Sequence, residues 1–278
     1  MGKWIRSEGY RLWHWRRTAL AGIGVIGFMV AGIVAYRQTP LIPWGSSAYL
    51  AYLSALGSGP TTYWDVVLPL VASLVSADSI AWDRQTGFIR LILPRTNRWG
   101  YGLGKVLATT CWTTVVLGLG LLVAFGVALF EYPLTLPHWQ FVHGTPVFTP
   151  PSGGAQYANP YPMFLHGLLF AHPVLYIGMI SGVTLLSAIA WANLGLLVSC
   201  VTKTPHLVLA APWLIYLLGT FVLEFLGAPM FSPYQLSGLF VATHARGPYW
   251  VPILWATFGL VMMGAVVAYF ARGGDILD

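Results

Sequence analysis

Six long apolar runs order this chain, and each is close to the roughly 20 residues a helix needs to cross a bilayer's hydrocarbon core. They fall at 19–36, 63–81, 106–130, 172–201, 207–226 and 250–271. The third is unbroken and rich in Leu, Val and Gly. The fourth is longer than a simple span requires, which predicts a helix that is tilted, bent or partly outside the membrane. No stretch between the runs is long and mixed enough to bury a core of its own. The pattern therefore predicts an all-α integral membrane protein, a single transmembrane domain over 1–278 with six transmembrane helices.

The basic residues give these spans an orientation. Lys3, Arg6, Arg11, Arg16 and Arg17 precede the first span, and Arg84, Arg90, Arg95, Arg98 and Lys105 lie between the second and third. Lys203 separates the fourth from the fifth, and Arg272 follows the sixth. With six spans all of these share one side, and only Arg37 and Arg246 remain on the other. Cytoplasmic loops carry the Lys and Arg excess, so both termini are expected to be cytoplasmic and the protein to sit in the cell's inner or plasma membrane. The segment 1–17 has no cleavage site leading to a soluble domain and is not expected to be a removed signal. Over 4–17, Trp4, Trp13 and Trp15 mingle with Arg6, Arg11, Arg16 and Arg17, which predicts a helix lying in the interface.

Composition supports the bilayer as solvent. Of the 278 residues 57% are hydrophobic and only 8% charged, against about a quarter charged in soluble domains; the mean hydropathy is +0.70. The net charge of +6 follows the ends of the spans and traces topology, so it does not point to nucleic acid. Cys111 and Cys200 fall near the cytoplasmic ends of their spans, where thiols stay reduced, and are expected to be small packing residues.

The connection 78–105 carries the most information. It runs from Asp78 through Asp83-Arg84-Gln85-Thr86-Gly87, enters a short apolar run at 88–93 with Arg90 and Leu91 inside it, stops at Pro94, and passes Arg95 and Arg98 to Gly104-Lys105. The apolar run is too short to span, which predicts a short helix across the cytoplasmic face, ended by Pro94. In order and approximate spacing, Asp83, Arg84, Thr86, Gly87, Leu91, Pro94, Arg95, Gly104 and Lys105 resemble the pattern that permeases of ABC-2 type exporters carry between their second and third spans. Asp83 stands where that family often has Glu, and Phe-Ile follows Gly87 where Thr-Leu is common. The resemblance implies that this segment is a coupling helix seated on a cytoplasmic ATP-binding-cassette ATPase, with Asp83, Arg84, Thr86, Gly87, Arg90, Leu91, Pro94 and Arg95 making the contact and Gly104 and Lys105 opening the third span. It also implies a dimer, with a second copy or a related permease, and ATP and magnesium on the partner ATPase only.

Two connections are expected outside. In the loop 131–171, Pro133, Pro137, Pro146, Pro150, Pro151, Pro160, Pro162 and a Ser-Gly-Gly turn exclude a long helix. Its His138, His143 and His166 match no ligand spacing, so no metal is expected and an ordered cap or gate is the simpler reading. The connection 227–249 is apolar but bracketed by Pro229, Pro233 and Pro248; a re-entrant hairpin and an ordinary interfacial loop both fit it. The resembled family has such external re-entrant helices, which implies Glu224, Phe231 and Tyr234 as outer-gate candidates.

Chemistry within the chain is sparse. The stretch Gly100-Tyr-Gly-Leu-Gly-Lys105 looks superficially like a phosphate loop, but Trp99 replaces its first Gly and Val106 its Ser or Thr. No nucleophile elbow or His-Glu-x-x-His is present, so the chain is not expected to be an enzyme or to hold a cofactor. Asp65, Asp78 and Glu224 lie near span ends and are expected to reach the interface, while Asn193 is expected to hydrogen-bond between helices, which is worth about a kcal/mol. The expected function is the permease subunit of an ATP-driven exporter. A non-transport membrane protein (an enzyme or assembly scaffold) and a proton-coupled carrier are the alternatives, and no motif selects a substrate.

Overall fold

The structure, a computed structural model, describes residues 16–38, 47–58, 64–92, 97–134, 136, 139–142, 145–148, 157–158, 166–202, 204–228, 231–237 and 250–272. The predicted interfacial helix lies outside them except for Arg16 and Arg17, which form the first turn of helix α1 (Arg16–Gln38). A short helix α2 (Ala48–Leu53) runs into a π-helical turn, Ser54–Ser58. Then come α3 (Trp64–Ser76), α4 (Ser79–Gln85), α5 (Phe88–Ile92) and α6 (Arg98–Glu131). After a small sheet follow α7 (His166–Ala171), α8 (Pro173–Val201), α9 (Pro205–Phe225), α10 (Pro233–Ser237) and α11 (Val251–Ala271).

Among the described residues five helices, α1, α6, α8, α9 and α11, are long and apolar enough to cross a membrane; α3 and α4 qualify only as a pair, bent by 41°. This is the build of a multi-pass membrane protein. Helix α8 is its axis, packed against α11, α6, α3 and α9. Close approach depends on small residues, as between helices in lipid. A Cβ at Gly195 of α8 would come within 2.7 Å of the Ala77 Cβ, at the bend between α3 and α4. One at Gly120 of α6 would run into Val25 of α1.

Four features depart from the sequence expectation. The second apolar run is two helices, since the chain turns at Ala77 and Asp78 and winds again to Gln85. Helix α6 begins at Arg98, well before the expected start at 106, because Asn97 caps it by accepting a hydrogen bond from the Trp99 amide (3.2 Å). At 34 residues it is about 50 Å long and must project beyond a 30 Å core. Helix α2 and its π turn lie in no predicted span, yet Tyr49, Tyr52, Leu53 and Leu56 are all buried. They pack on α6 and α8, and the Tyr52 hydroxyl is 2.8 Å from Ser181 Oγ of α8.

The fourth departure qualifies the all-α class. The loop after α6 forms a three-stranded antiparallel sheet, β1 (Trp139–Val142), β2 (Thr145–Phe148) and β3 (Tyr157–Ala158). Its residues are aromatic and β-branched, the types that suit a pleated surface. Pro146 pairs with Phe141 on β1, at a point β3 does not reach, so its missing amide breaks no second ladder.

Candidate functional site

Of the residues singled out on the 78–105 connection, Asp83, Arg84, Gly104 and Lys105 lie where α4, α5, the first turns of α6 and the last turn of α11 converge. Lys105 Nζ lies 2.7 Å from Asp83 Oδ2, with both side chains essentially inaccessible, at 0% and 1% exposure. The Tyr101 hydroxyl, one helical turn before Lys105, donates to the same carboxylate oxygen at 2.8 Å. The Lys105 ammonium also sits 5.6 Å from the centre of the Tyr101 ring. Aromatic packing closes the site, with Phe270 of α11 meeting Tyr101 edge-on at 5.0 Å. There is room because position 102 is glycine: a Cβ there would stand 3.0 Å from Phe270. Ile80, Ile89, Leu196 and Cys200 complete an apolar jacket. In such a jacket an ion pair is held by its own geometry, since either charge alone would be left desolvated.

A second polar contact fastens the same elements. Arg84 Nη2 donates to the Tyr269 hydroxyl at 3.1 Å, with the guanidinium carbon 5.9 Å from that ring's centre. Gly87, at φ +68°, makes the left-handed turn between α4 and α5. Its amide donates to the Arg84 carbonyl, and its own carbonyl accepts from the Arg90 amide. Thr86 Oγ1 turns back onto the Trp82 carbonyl at 2.9 Å.

The connection thus has two faces. Asp83, Gly104 and Lys105 are buried and Arg84 is half-buried, whereas Thr86 and Arg90 are exposed. Trp82 and Phe88 stand out among the exposed residues, at 39% and 43%. Helix α5 occupies most of the predicted apolar run, and the Leu91 backbone is helical; the Leu91 side chain, Pro94 and Arg95 lie outside the described residues. Tyr101, Tyr269 and Phe270 complete the site and were not picked out from sequence. For Tyr101 a signal existed: it precedes Lys105 by four residues on one helix, the spacing at which side chains meet.

The outer-gate candidates are less tightly gathered. Phe231 is 58% exposed, and its ring centre is 6.1 Å from that of Trp250. Tyr234 is half-buried on α10 and Glu224 is exposed at the end of α9. Helix α10 is fastened to α11 by Trp255 Nε1, which donates to the Leu236 carbonyl at 3.0 Å. Residues 229–230 and 238–249, on which the hairpin reading depends, lie outside the described residues, as do His138 and His143 and the side chain of His166.

Two expectations need correction, and a third holds. Asp65 and Asp78 do not reach the surface, being 3% and 1% exposed, because α8, α9 and α1 pack around the bent pair that carries them. Cys111 is exposed, and only Cys200 is a buried packing residue. Asn193 does bond between helices, its Nδ2 donating to Thr110 Oγ1 of α6 at 3.3 Å.

Comparison with protein-family models and with curated proteins returns no match.

Proposed function

We propose that this chain is the permease subunit of an ABC-2 type exporter. Two copies, or this chain and a related one, enclose a pathway, and separate cytoplasmic ATPase subunits that bind ATP and magnesium drive it. The observation that carries this reading is the build of the α4–α5 connection. One side is locked into the bundle by the Asp83–Lys105 pair, and the other presents Trp82, Phe88 and Arg90. Large apolar side chains beside a cation on a short, water-facing connection are the mark of a surface that buries against a partner. The buried side makes the connection a lever: a push on α4 and α5 is transmitted to the start of α6 through Asp83 and to the end of α11 through Arg84. In this reading both termini and the 78–105 connection are cytoplasmic, in the cell's inner or plasma membrane.

The test is co-purification in mild detergent. Wild-type protein is expected to bring down a stoichiometric soluble ATPase with phosphate-loop motifs. The pair Phe88→Asp with Arg90→Glu is expected to lose it while helix content stays unchanged. A wild-type preparation without such an ATPase, or a variant that keeps it and still transports, overturns the reading.

A further inference from the structure

Helix α4 packs its backbone on α8 and α9, and it reaches α6 and α11 through long side chains. Two neighbouring residues make those two bridges, and the bridges are unequal. Asp83 meets Lys105 of α6 at 2.7 Å with both side chains inaccessible, and the Tyr101 hydroxyl donates to the same carboxylate oxygen. Arg84 meets Tyr269 of α11 through a hydrogen bond of 3.1 Å, with its guanidinium carbon 5.9 Å from the ring centre. Arg84 and Tyr269 are both half-buried. Between α6 and α11 the contact is aromatic, since the fully buried Phe270 lies edge-on to Tyr101 and against Gly102.

Burial decides which side of this triangle opens first. Parting Asp83 from Lys105 would strand two charges in an apolar jacket. Parting Phe270 from Tyr101 and Gly102 would leave a cavity where a ring had packed. Parting Arg84 from Tyr269 leaves both groups where water can take over the hydrogen bond, so much of the lost interaction is returned. A cation beside a partly exposed ring adds little to that. Tyr269 also stands in the last turn of α11, and helix ends open most readily. The neighbouring joints suit a movement of α4. Upstream the chain bends by 41° between α3 and α4. Downstream the Gly87 amide bonds to the Arg84 carbonyl and the Arg90 amide to the Gly87 carbonyl, which ties α5 to α4 as one body.

We propose that Arg84 and Tyr269 form a latch and that Asp83 and Lys105 form its pivot. Helices α4 and α5 swing together on Asp83, leaving the end of α11 while staying on the start of α6. Latched and released forms lie close in free energy, because one water-accessible contact separates them. Tyr269 is thus a positioning residue that sets where the surface of Trp82 and Phe88 stands. What works the latch rests on the exporter reading, in which it is the ATPase; the latch itself does not.

The test is a pair of distances in the full chain, purified in detergent, with Cys111 and Cys200 replaced by Ser and Ala and the labelled protein diluted with unlabelled. Nitroxides at Thr86→Cys and Arg272→Cys, two exposed positions, report α4 against α11. Nitroxides at Thr86→Cys and Arg98→Cys report α4 against α6. Electron paramagnetic resonance gives the distance distribution for each pair. Tyr269→Phe keeps the ring and its edge-on contact with Phe270 and removes one hydrogen bond. It is expected to raise the ratio of released to latched molecules in the 86–272 pair about tenfold and to leave the 86–98 pair unchanged. If Tyr269→Phe does not fold, Arg84→Gln carries the same expectation. An unchanged 86–272 distribution overturns the latch. So does a shift of both pairs together, which would mean that the three helices part as one. Neither result alters co-purification of wild type with an ATPase, so the exporter reading fails or stands separately.

Discussion

Asp83 and Lys105 are 22 positions apart in the chain and in direct contact in the fold. Replacing Lys105 by Met takes the cation away from a desolvated carboxylate that also accepts from the Tyr101 hydroxyl. Losing one partner of a buried pair costs about 3–5 kcal/mol. Lys105→Met is therefore expected to lower the unfolding midpoint sharply in detergent. Asp83→Asn combined with Lys105→Met is expected to recover most of the loss, because no unpaired charge remains. A double variant as unstable as the single one would show that the pair's worth lies elsewhere. Tyr101→Phe tests the third member and is expected to cost about 1.5–3 kcal/mol, the range for a hydrogen bond to a charged group. Sequence order alone brought Asp83 and Lys105 to notice as members of one motif. It did not pair them, because the pairing depends on the Gly87 turn and on α6 starting at Arg98. Asp65 was misjudged for a related reason: nearness to a span's end says nothing of the helices packed over it.

Among the elements, the long apolar helices were legible because twenty apolar residues have few alternatives in water or lipid. The fourth, fifth and sixth runs match α8, α9 and α11 to within about two residues, the ordinary uncertainty of helix ends. Short elements were not legible. Helix α2 has six residues, and its burial comes from neighbours on α6 and α8, not from any period of its own. The start of α6 was hidden by Gly100, Gly102 and Gly104, which read as a loop until Phe270 is seen packed on Gly102. The same small residues make the element scale testable. Gly195→Leu would drive a side chain into Ala77 at the α3–α4 bend. Overpacking of this kind costs about 1–3 kcal/mol, so the variant is expected to unfold several degrees early. Gly118→Leu on α6, where a Cβ meets nothing within 4 Å, is the control and is expected to leave the midpoint nearly unchanged.

For the whole molecule the open question is whether the bent pair crosses. Thirteen residues in α3 and seven in α4 rise about 30 Å together, the thickness of a hydrocarbon core, and a 41° bend shortens that reach only modestly. Charge gives an independent argument. If the pair turned back, the residue before α1 and the residues after α5 would face opposite sides, and Arg84, Arg90, Arg95, Arg98 and Lys105 would part from Lys3, Arg6, Arg11, Arg16 and Arg17. Crossing brings them together, as the positive-inside rule prefers. Single cysteines at Gln38 and Thr86, in a chain whose Cys111 and Cys200 are replaced by Ser and Ala, separate the two cases. A membrane-impermeant maleimide applied to intact cells is expected to label position 38 and to reach position 86 only after permeabilisation. Labelling of both in intact cells would make the pair re-entrant and leave five spans. It would also set the Trp82–Phe88 surface on the face of the membrane where no ATP-driven partner works, so this one measurement bears on the topology and on the proposed function together.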